Sequence, residues 1–284
     1  MTDRDPLVSS EWLAARIKEA DVRVLDASFR MPGVLPSARD DYVAGHIPGA
    51  VFFDVDQVSD RSSPLPHMFP QAAQFGRDIA ALGIRNSDTV VVSDQGGFLA
   101  SARVWWMFLC FGHRDVRVLD GGVKKWRAEG RAIESGEVQV KPASFTATFN
   151  AGGVRTLAQL AADVESGAVQ VVDARAVERF EGRVPEPRPG LRSGHIPRSR
   201  NLPYTALFDA TTGVMKPSAA LRQAFTTAGV RLDAPVVTCC GSGVSAAVLT
   251  LALVRLGITD SALYDGSWSE WGLVDGPAIA AGPA

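Results

Sequence analysis

Valine-rich apolar runs of a few residues alternate along the chain with longer stretches in which apolar positions recur at helical spacing. The runs at 22–25, 89–92 and 116–119, and again at 169–172, 236–238 and 262–264, are apolar on consecutive residues, as strands buried on both faces are. Between them, 10–17, 71–82, 102–111, 157–165 and 245–256 read as helices. Strand and helix in alternation predict an α/β fold of parallel sheets flanked by helices on both faces. In such sheets the loops at the C-terminal ends of the strands carry the ligand, which directs attention to the loop after the strand at 236–238.

The pattern occurs twice. Val24-Leu25-Asp26-Ala27 returns 147 residues later as Val171-Val172-Asp173-Ala174, and Gly45-His46-Ile47-Pro48 returns after 149 as Gly194-His195-Ile196-Pro197. Leu119-Asp120-Gly121-Gly122, followed by Trp126, returns after 145 as Tyr264-Asp265-Gly266-Ser267, followed by Trp271. Order and spacing both hold, so the chain is a tandem duplication. The expected division is a first domain over 1–135, a linker over 136–153 containing Pro142, and a second domain over 154–284.

Composition narrows the classes of function. Among 284 residues, 29 Lys and Arg stand against 31 Asp and Glu, leaving no basic excess for nucleic acid or an anionic membrane surface. The longest apolar stretches, 104–111 and 246–254, are too short to span a bilayer, and the opening residues lack the apolar region of a secretory signal, so the expectation is a cytoplasmic protein. The three cysteines, at 110, 239 and 240, fit neither a disulfide framework nor a zinc spacing. A reactive thiol in a reducing compartment is expected instead, with no metal and no cofactor.

Cys240-Gly241-Ser242-Gly243-Val244-Ser245 joins a buried strand to an apolar helix. Its two glycines let several backbone N–H groups converge, and the helix N-terminus adds its positive dipole end. Cysteines so placed can have pKa values lowered to roughly 3.5–7.5. A glycine-rich turn with a merely packed cysteine has the same composition. The first copy carries Ser93-Asp94-Gln95-Gly96 at this place and no cysteine.

That loop, the two Gly-His-Ile-Pro segments and the closing Tyr264-Asp265-Gly266-Ser267-Trp268-Ser269-Glu270-Trp271 together resemble the two-domain rhodanese family over nearly the whole chain. The likeness is greatest to the branch that takes sulfur from 3-mercaptopyruvate. It implies tandem rhodanese-like domains, the first non-catalytic and the second carrying Cys240 as a persulfide-forming nucleophile. Phosphatases of this fold have an arginine six residues after the cysteine, where this chain has Ala246, and thiosulfate-using relatives carry basic residues where it has Gly241 and Ser242.

From the same resemblance, Arg179 and Arg188 bind the donor's carboxylate and ketone, while Ser242, His67 and Asp56 relay a proton. The backbone of Gly241, Gly243, Val244 and Ser245 cradles the sulfur. Acceptors would be a small thiol, cyanide or thioredoxin. Two other readings stand beside this one: thiosulfate as donor, and a non-catalytic binding module. His46 and His195, present in both copies, are expected to be structural, and Trp105, Trp106 and Cys110 to be core. Arg183 and Arg192 read as solvated charges, and Cys239 reads as buried, with a redox role open.

Overall fold

In a computed structural model, which describes residues 5–31, 33–96 and 98–284, the chain forms two compact units. Residues 1–4, part of the opening segment considered above, lie outside the described residues. The first unit comprises Met1–Arg61, Phe69–Asn150 and Asp209–Met215, and the second Ser62–Met68, Ala151–Phe208 and Lys216–Ala284.

The first unit runs β1 (Leu7–Val8), α1 (Ser10–Arg16), β2 (Val22–Asp26), α2 (Ala38–Ala44), β3 (Val51–Phe52), α3 (Ala72–Ala81), β4 (Thr89–Ser93), α4 (Ser101–Cys110), β5 (Val116–Leu119) and α5 (Gly122–Ala128). The second runs β6 (Val154–Arg155), α6 (Leu157–Ser166), β7 (Gln170–Asp173), α7 (Val177–Phe180), β8 (Arg200–Asn201), α8 (Ser218–Thr227), β9 (Val236–Cys239), α9 (Ala246–Arg255), β10 (Ser261–Tyr264) and α10 (Ser267–Trp271). The two five-stranded sheets have matching orders, β1-β5-β4-β2-β3 and β6-β10-β9-β7-β8, and every pairing is parallel. The duplication seen in the sequence is thus a duplication of topology.

Alternation along the strands divides each core between two sheet faces. In the first unit Val22, Val24, Val91 and Leu119 meet Leu13 of α1 and Val123 and Trp126 of α5. In the second, Val171, Val237, Cys239 and Ala262 meet Leu160 of α6 and Trp268 and Trp271 of α10. The helices α4 and α9 are buried almost all round, and Trp105, Trp106 and Cys110 are core residues, as expected. Capping fixes where several helices start: Ser9 accepts the Trp12 N–H, and Ser37 with Asp40 and Thr156 with Gln159 form reciprocal capping boxes. His46 and His195 are also structural. Each lies buried with Nδ1 2.8 Å from a carbonyl, Tyr42 O and Phe180 O, and each stacks on that residue's ring.

The stretch expected as a linker is tied down over most of its length. The Ala143, Thr148 and Asn150 N–H groups donate to Ala80 O, Phe111 O and Cys110 O, and Phe145 is buried against Phe75, Phe108 and His113. In the first unit 209–215 is anchored by Lys124 Nζ donating to Ala210 O at 2.8 Å and by the Met215 N–H donating to Asp120 Oδ1 at 2.8 Å.

At the end of β2, Asp26 is fully buried and accepts the Ser28 N–H at 2.9 Å. Burial pushes its carboxyl above the usual range, and the Asp94 carboxylate adds to the effect. A carboxyl whose folded pKa is raised weighs against the fold once pH passes the unfolded value of about 3.9, and the penalty grows until the folded pKa is passed. Asp26→Asn keeps an acceptor for the Ser28 N–H and removes this charge. Denaturant titrations should therefore find the variant's stability, relative to wild type, higher at pH 7.5 than at pH 4; a pH-independent difference would contradict the burial argument.

Candidate active site

Strand β9 ends at Cys239 and α9 begins at Ala246, so the loop 240–245 sits at the C-terminal edge of the second sheet, where the topology predicts chemistry. Cys240 is 2% exposed. Its N–H donates to Ser267 Oγ at 3.1 Å, and that hydroxyl donates to Tyr264 O at 2.9 Å. The loop's first two carbonyls are tied to α10: Cys240 O accepts the Trp268 N–H at 2.9 Å, and Gly241 O accepts from Ser269 N and Oγ at 2.8 and 2.7 Å.

In a trans peptide the N–H points opposite to the carbonyl it shares. Tying these two carbonyls to α10 therefore turns the N–H groups of Gly241 and Ser242 away from it. Among the described residues, no acceptor receives the N–H groups of Gly241, Ser242, Val244 or Ser245. Gly243, at φ +75°, makes the left-handed turn that a side chain would resist. The result is a buried thiol at the head of a loop with several backbone donors available to an anion.

The first unit shows the same loop closed on itself. Asp26 pairs in register with Ser93, and Asp173 with Cys239, so Asp94 occupies the position of Cys240. Asp94 accepts the Gly96 N–H at 2.8 Å, the Ser101 N–H at 3.2 Å and the Ser101 hydroxyl at 2.8 Å. Where, among the described residues, the second loop leaves the N–H two residues after Cys240 unbonded, this carboxylate binds the N–H two residues after itself.

His67 folds with the second unit although it precedes that half of the chain. Its Nδ1 is 2.9 Å from Ser242 Oγ, both residues are buried, and its backbone has φ 61°, a conformation rare outside glycine and found at functional sites. Asp56 lies in the first unit, exposed, with its N–H donating to Asp54 Oδ1 at 3.0 Å and its carbonyl accepting from Ser59 Oγ at 2.6 Å.

Arg179 stands beside the loop. A Cβ on Gly241 would lie 3.0 Å from its Nη2, so the guanidinium lies against the backbone next to Cys240 and would have to give a few tenths of an ångström to a side chain at 241. Glu186, from the proline-rich loop after α7, holds it through Nη2 at 2.5 Å and Nε at 3.3 Å. Glu186 also accepts Nη1 of the buried Arg175 at 2.9 Å, and Arg175 forks onto Asp173 at 2.7–3.1 Å. Burial opposes the charge on Arg175, yet Asp173 and Glu186 outweigh it and hold the guanidinium more firmly protonated than usual. Arg188 is half-buried on the same loop.

The structure thus gathers Cys240, Gly241, Ser242, His67 and Arg179 in one unit. Sequence reasoning left out Arg175, Glu186 and Ser267. The signal for Ser267 lay in the repeat: the matching residue of the first copy is Gly122 at φ 56°, and Ser267 adopts φ 49° despite its side chain, whose hydroxyl receives the Cys240 N–H. One expectation is corrected. Arg192 is not a solvated charge: its Nη2 donates to Trp271 O at 2.9 Å and Pro277 O at 2.7 Å, holding the C-terminal segment. Arg183 is exposed and pairs with Glu181.

This fold and loop define a rhodanese, and sequence comparison agrees: the Rhodanese-like domain family matches residues 9–129 and 156–273. The chain belongs to the rhodanese family. It is 40% identical to the 3-mercaptopyruvate sulfurtransferase of Escherichia coli strain K12 over 93% of this chain and 94% of that protein. It is 42% identical to the mitochondrial thiosulfate/3-mercaptopyruvate sulfurtransferase 1 of Arabidopsis thaliana, over 94% of this chain and 76% of that one. The crystal structure of Escherichia coli SseA, a 3-mercaptopyruvate sulfotransferase of rhodanese fold, superposes with a TM-score of 0.86 at 37% identity, covering 94% of this chain and all of the other.

Cys239, next to Cys240 in sequence, faces the other way into the cluster of Val237, Tyr264 and Trp268, where burial pushes its thiol well up. It is therefore a packed, neutral thiol. Cys239→Ser should place a hydroxyl in that apolar cluster and cost about 1–3 kcal/mol in a urea titration while sulfur transfer persists. Loss of transfer at unchanged stability would give Cys239 a chemical role.

Proposed function

We propose that the chain is a 3-mercaptopyruvate sulfurtransferase that carries sulfur as a persulfide on Cys240. The observation behind this reading is the loop itself: a buried cysteine heading a turn whose Gly241, Ser242, Val244 and Ser245 N–H groups have no acceptor among the described residues, beside an arginine, where the other unit has an aspartate. The Cys240 thiolate attacks the donor sulfur, and the carbon–sulfur bond breaks with its electron pair moving to carbon. Pyruvate leaves as its enolate and takes up a proton, leaving Cys240 as a hydropersulfide. The acceptor thiolate, or cyanide, then attacks the outer sulfur and returns Cys240 to the thiolate. The transfer needs no external oxidant.

The pair Ser242–His67 is suited to deliver the proton that quenches the enolate, because its 2.9 Å bond is already made beside the thiol's loop. Asp56, at the family's spacing from His67, is assigned as the acid of this relay. Arg179 and Arg188 are assigned to the donor's carboxylate and ketone, and the N–H groups of the 241–245 loop to the sulfur anion. A singly charged 2-keto acid suits a loop whose residues after the cysteine, Gly241 and Ser242, are neutral. Thioredoxin or a small thiol is the acceptor class, and the cytoplasm the expected compartment. Among the described residues, no helix is long and apolar enough to cross a membrane.

Pyruvate release from 3-mercaptopyruvate, compared with thiocyanate formation from thiosulfate and cyanide, tests the donor; faster turnover of thiosulfate would reverse the assignment. Cys240→Ser should abolish transfer with the fold intact, and mass spectrometry of wild type after donor should find one added sulfur on the Cys240 peptide. Sulfur on Cys239 or Cys110 alone would refute the nucleophile.

Kinetics should also separate binding from chemistry. Arg179→Ala and Arg188→Ala should each raise KM, lowering kcat/KM roughly ten- to a hundredfold for a lost charge-assisted bond of about 1.5–3 kcal/mol. His67→Ala should instead lower kcat by something on the order of 10²-fold with little change in KM. A normal kcat would remove His67 from the relay.

A further inference from the structure

We infer that Glu186 sets the donor preference of the Cys240 site, by holding Arg179 as an oriented and largely neutralised cation that favours a singly charged carboxylate over a dianion. The inference extends the sulfurtransferase reading and rests on it for the identity of the donors, but the electrostatic argument stands on the geometry.

Four charges form an unbroken ladder: Asp173, Arg175, Glu186 and Arg179. The inner three are almost completely buried, with side-chain exposures of 1%, 1% and 2%, whereas Arg179 is 26% exposed and forms the solvent end. Two carboxylates and two guanidinium groups sum to zero, so Arg179 does not present a full uncompensated charge to a ligand. Its Nε and Nη2 are both engaged by Glu186. Among the described residues, Nη1 has no acceptor, and it lies 3.9 Å from where a Cβ on Gly241 would stand, against 3.0 Å for Nη2. A ligand carboxylate at Cys240 would therefore bind through this remaining edge of a guanidinium whose plane Glu186 has already set.

The consequence for selectivity follows from charge. Beside a neutral ladder the second negative charge of a dianion gains no attraction from the ladder, yet it is desolvated like the first. Replacing Glu186 by glutamine keeps the shape and an oxygen acceptor but leaves the ladder with one net positive charge. At an effective dielectric near 20 and close range, one unit charge shifts dianion against monoanion binding by about tenfold or more. Glu186 is thus a positioning and selectivity residue; it acts through Arg179 and does not touch the reacting atoms.

The test is titration calorimetry of pyruvate, as monoanion, and sulfate, as dianion, into the full-length protein and its Glu186→Gln and Glu186→Asp variants. Glu186→Gln should raise the affinity for sulfate relative to pyruvate by about tenfold or more, and kcat/KM for thiosulfate relative to 3-mercaptopyruvate should move the same way. Glu186→Asp, which keeps the charge, should stay near the wild-type ratio. An unchanged ratio in Glu186→Gln, or an equal shift in both variants, would overturn the inference. Should Glu186→Gln fail to fold, Arg179→Gln at the solvent end decides: the sulfate affinity must fall more than the pyruvate affinity, and equal losses overturn it. Wild-type turnover of 3-mercaptopyruvate tests the functional reading separately, because the anion titrations read the charge balance whichever sulfur donor is used.

Discussion

The second unit is organised around one buried cation. Arg175 leaves the end of β7, forks onto Asp173, donates to Glu186 and to Gly194 O, and lies with its guanidinium carbon 4.4 Å from the centre of the Trp268 ring. A buried guanidinium is tolerable only with its partners in place, and deleting one side of such a pair typically costs 3–5 kcal/mol. That constraint ties the sheet edge, the proline-rich loop after α7, the Gly-His-Ile-Pro turn and the start of α10 to one centre. Trp268 in turn gives its N–H to Cys240 O. The orientation of the reactive loop and of Arg179 is therefore set by the same network.

The two copies keep one scaffold and differ in the charge and hydrogen bonding at the loop that follows the central strand. Both retain the histidine turn, with the same 2.8 Å bond to a carbonyl and the same ring stacking, because that turn orders backbone in either unit. They differ where a ligand would sit. Asp94 replaces Cys240 and satisfies nearby donors internally, Ser28 replaces Arg175, and Gly122 replaces Ser267. Without the arginine, the buried Asp26 has, among the described residues, no ion pair of the kind Asp173 enjoys, and burial raises its carboxyl unopposed by such a pair. The difference between the copies is a coordinated change of charge and hydrogen bonding, extending beyond the cysteine.

Much of this was legible in the sequence, for identifiable reasons. Central strands of a parallel sheet are buried on both faces and appear as unbroken apolar runs, so β2, β4, β5, β7, β9 and β10 could be read directly. The edge strands β1, β3, β6 and β8 are two residues each and leave no periodic trace. Short helices such as α2 and α7 bury only one residue apiece and leave as little periodic trace. The cysteine loop stood out because the duplication supplied its own control, a second copy without the thiol.

By itself the sequence determined the fold class, the duplication and which copy carries the cysteine loop, because these depend on local pattern and on comparing one half of the chain with the other. Tertiary structure alone decided the partners. His67 and Ser242 are 175 residues apart in sequence and meet because residues 62–68 fold with the second unit. Glu186 sits in a proline-rich loop that reads as solvated, and only folding buries it between two arginines. Hydrophobic periodicity records which face of an element is buried; it carries no information about which distant charge will neutralise a buried one, and that pairing sets the electrostatics of this site.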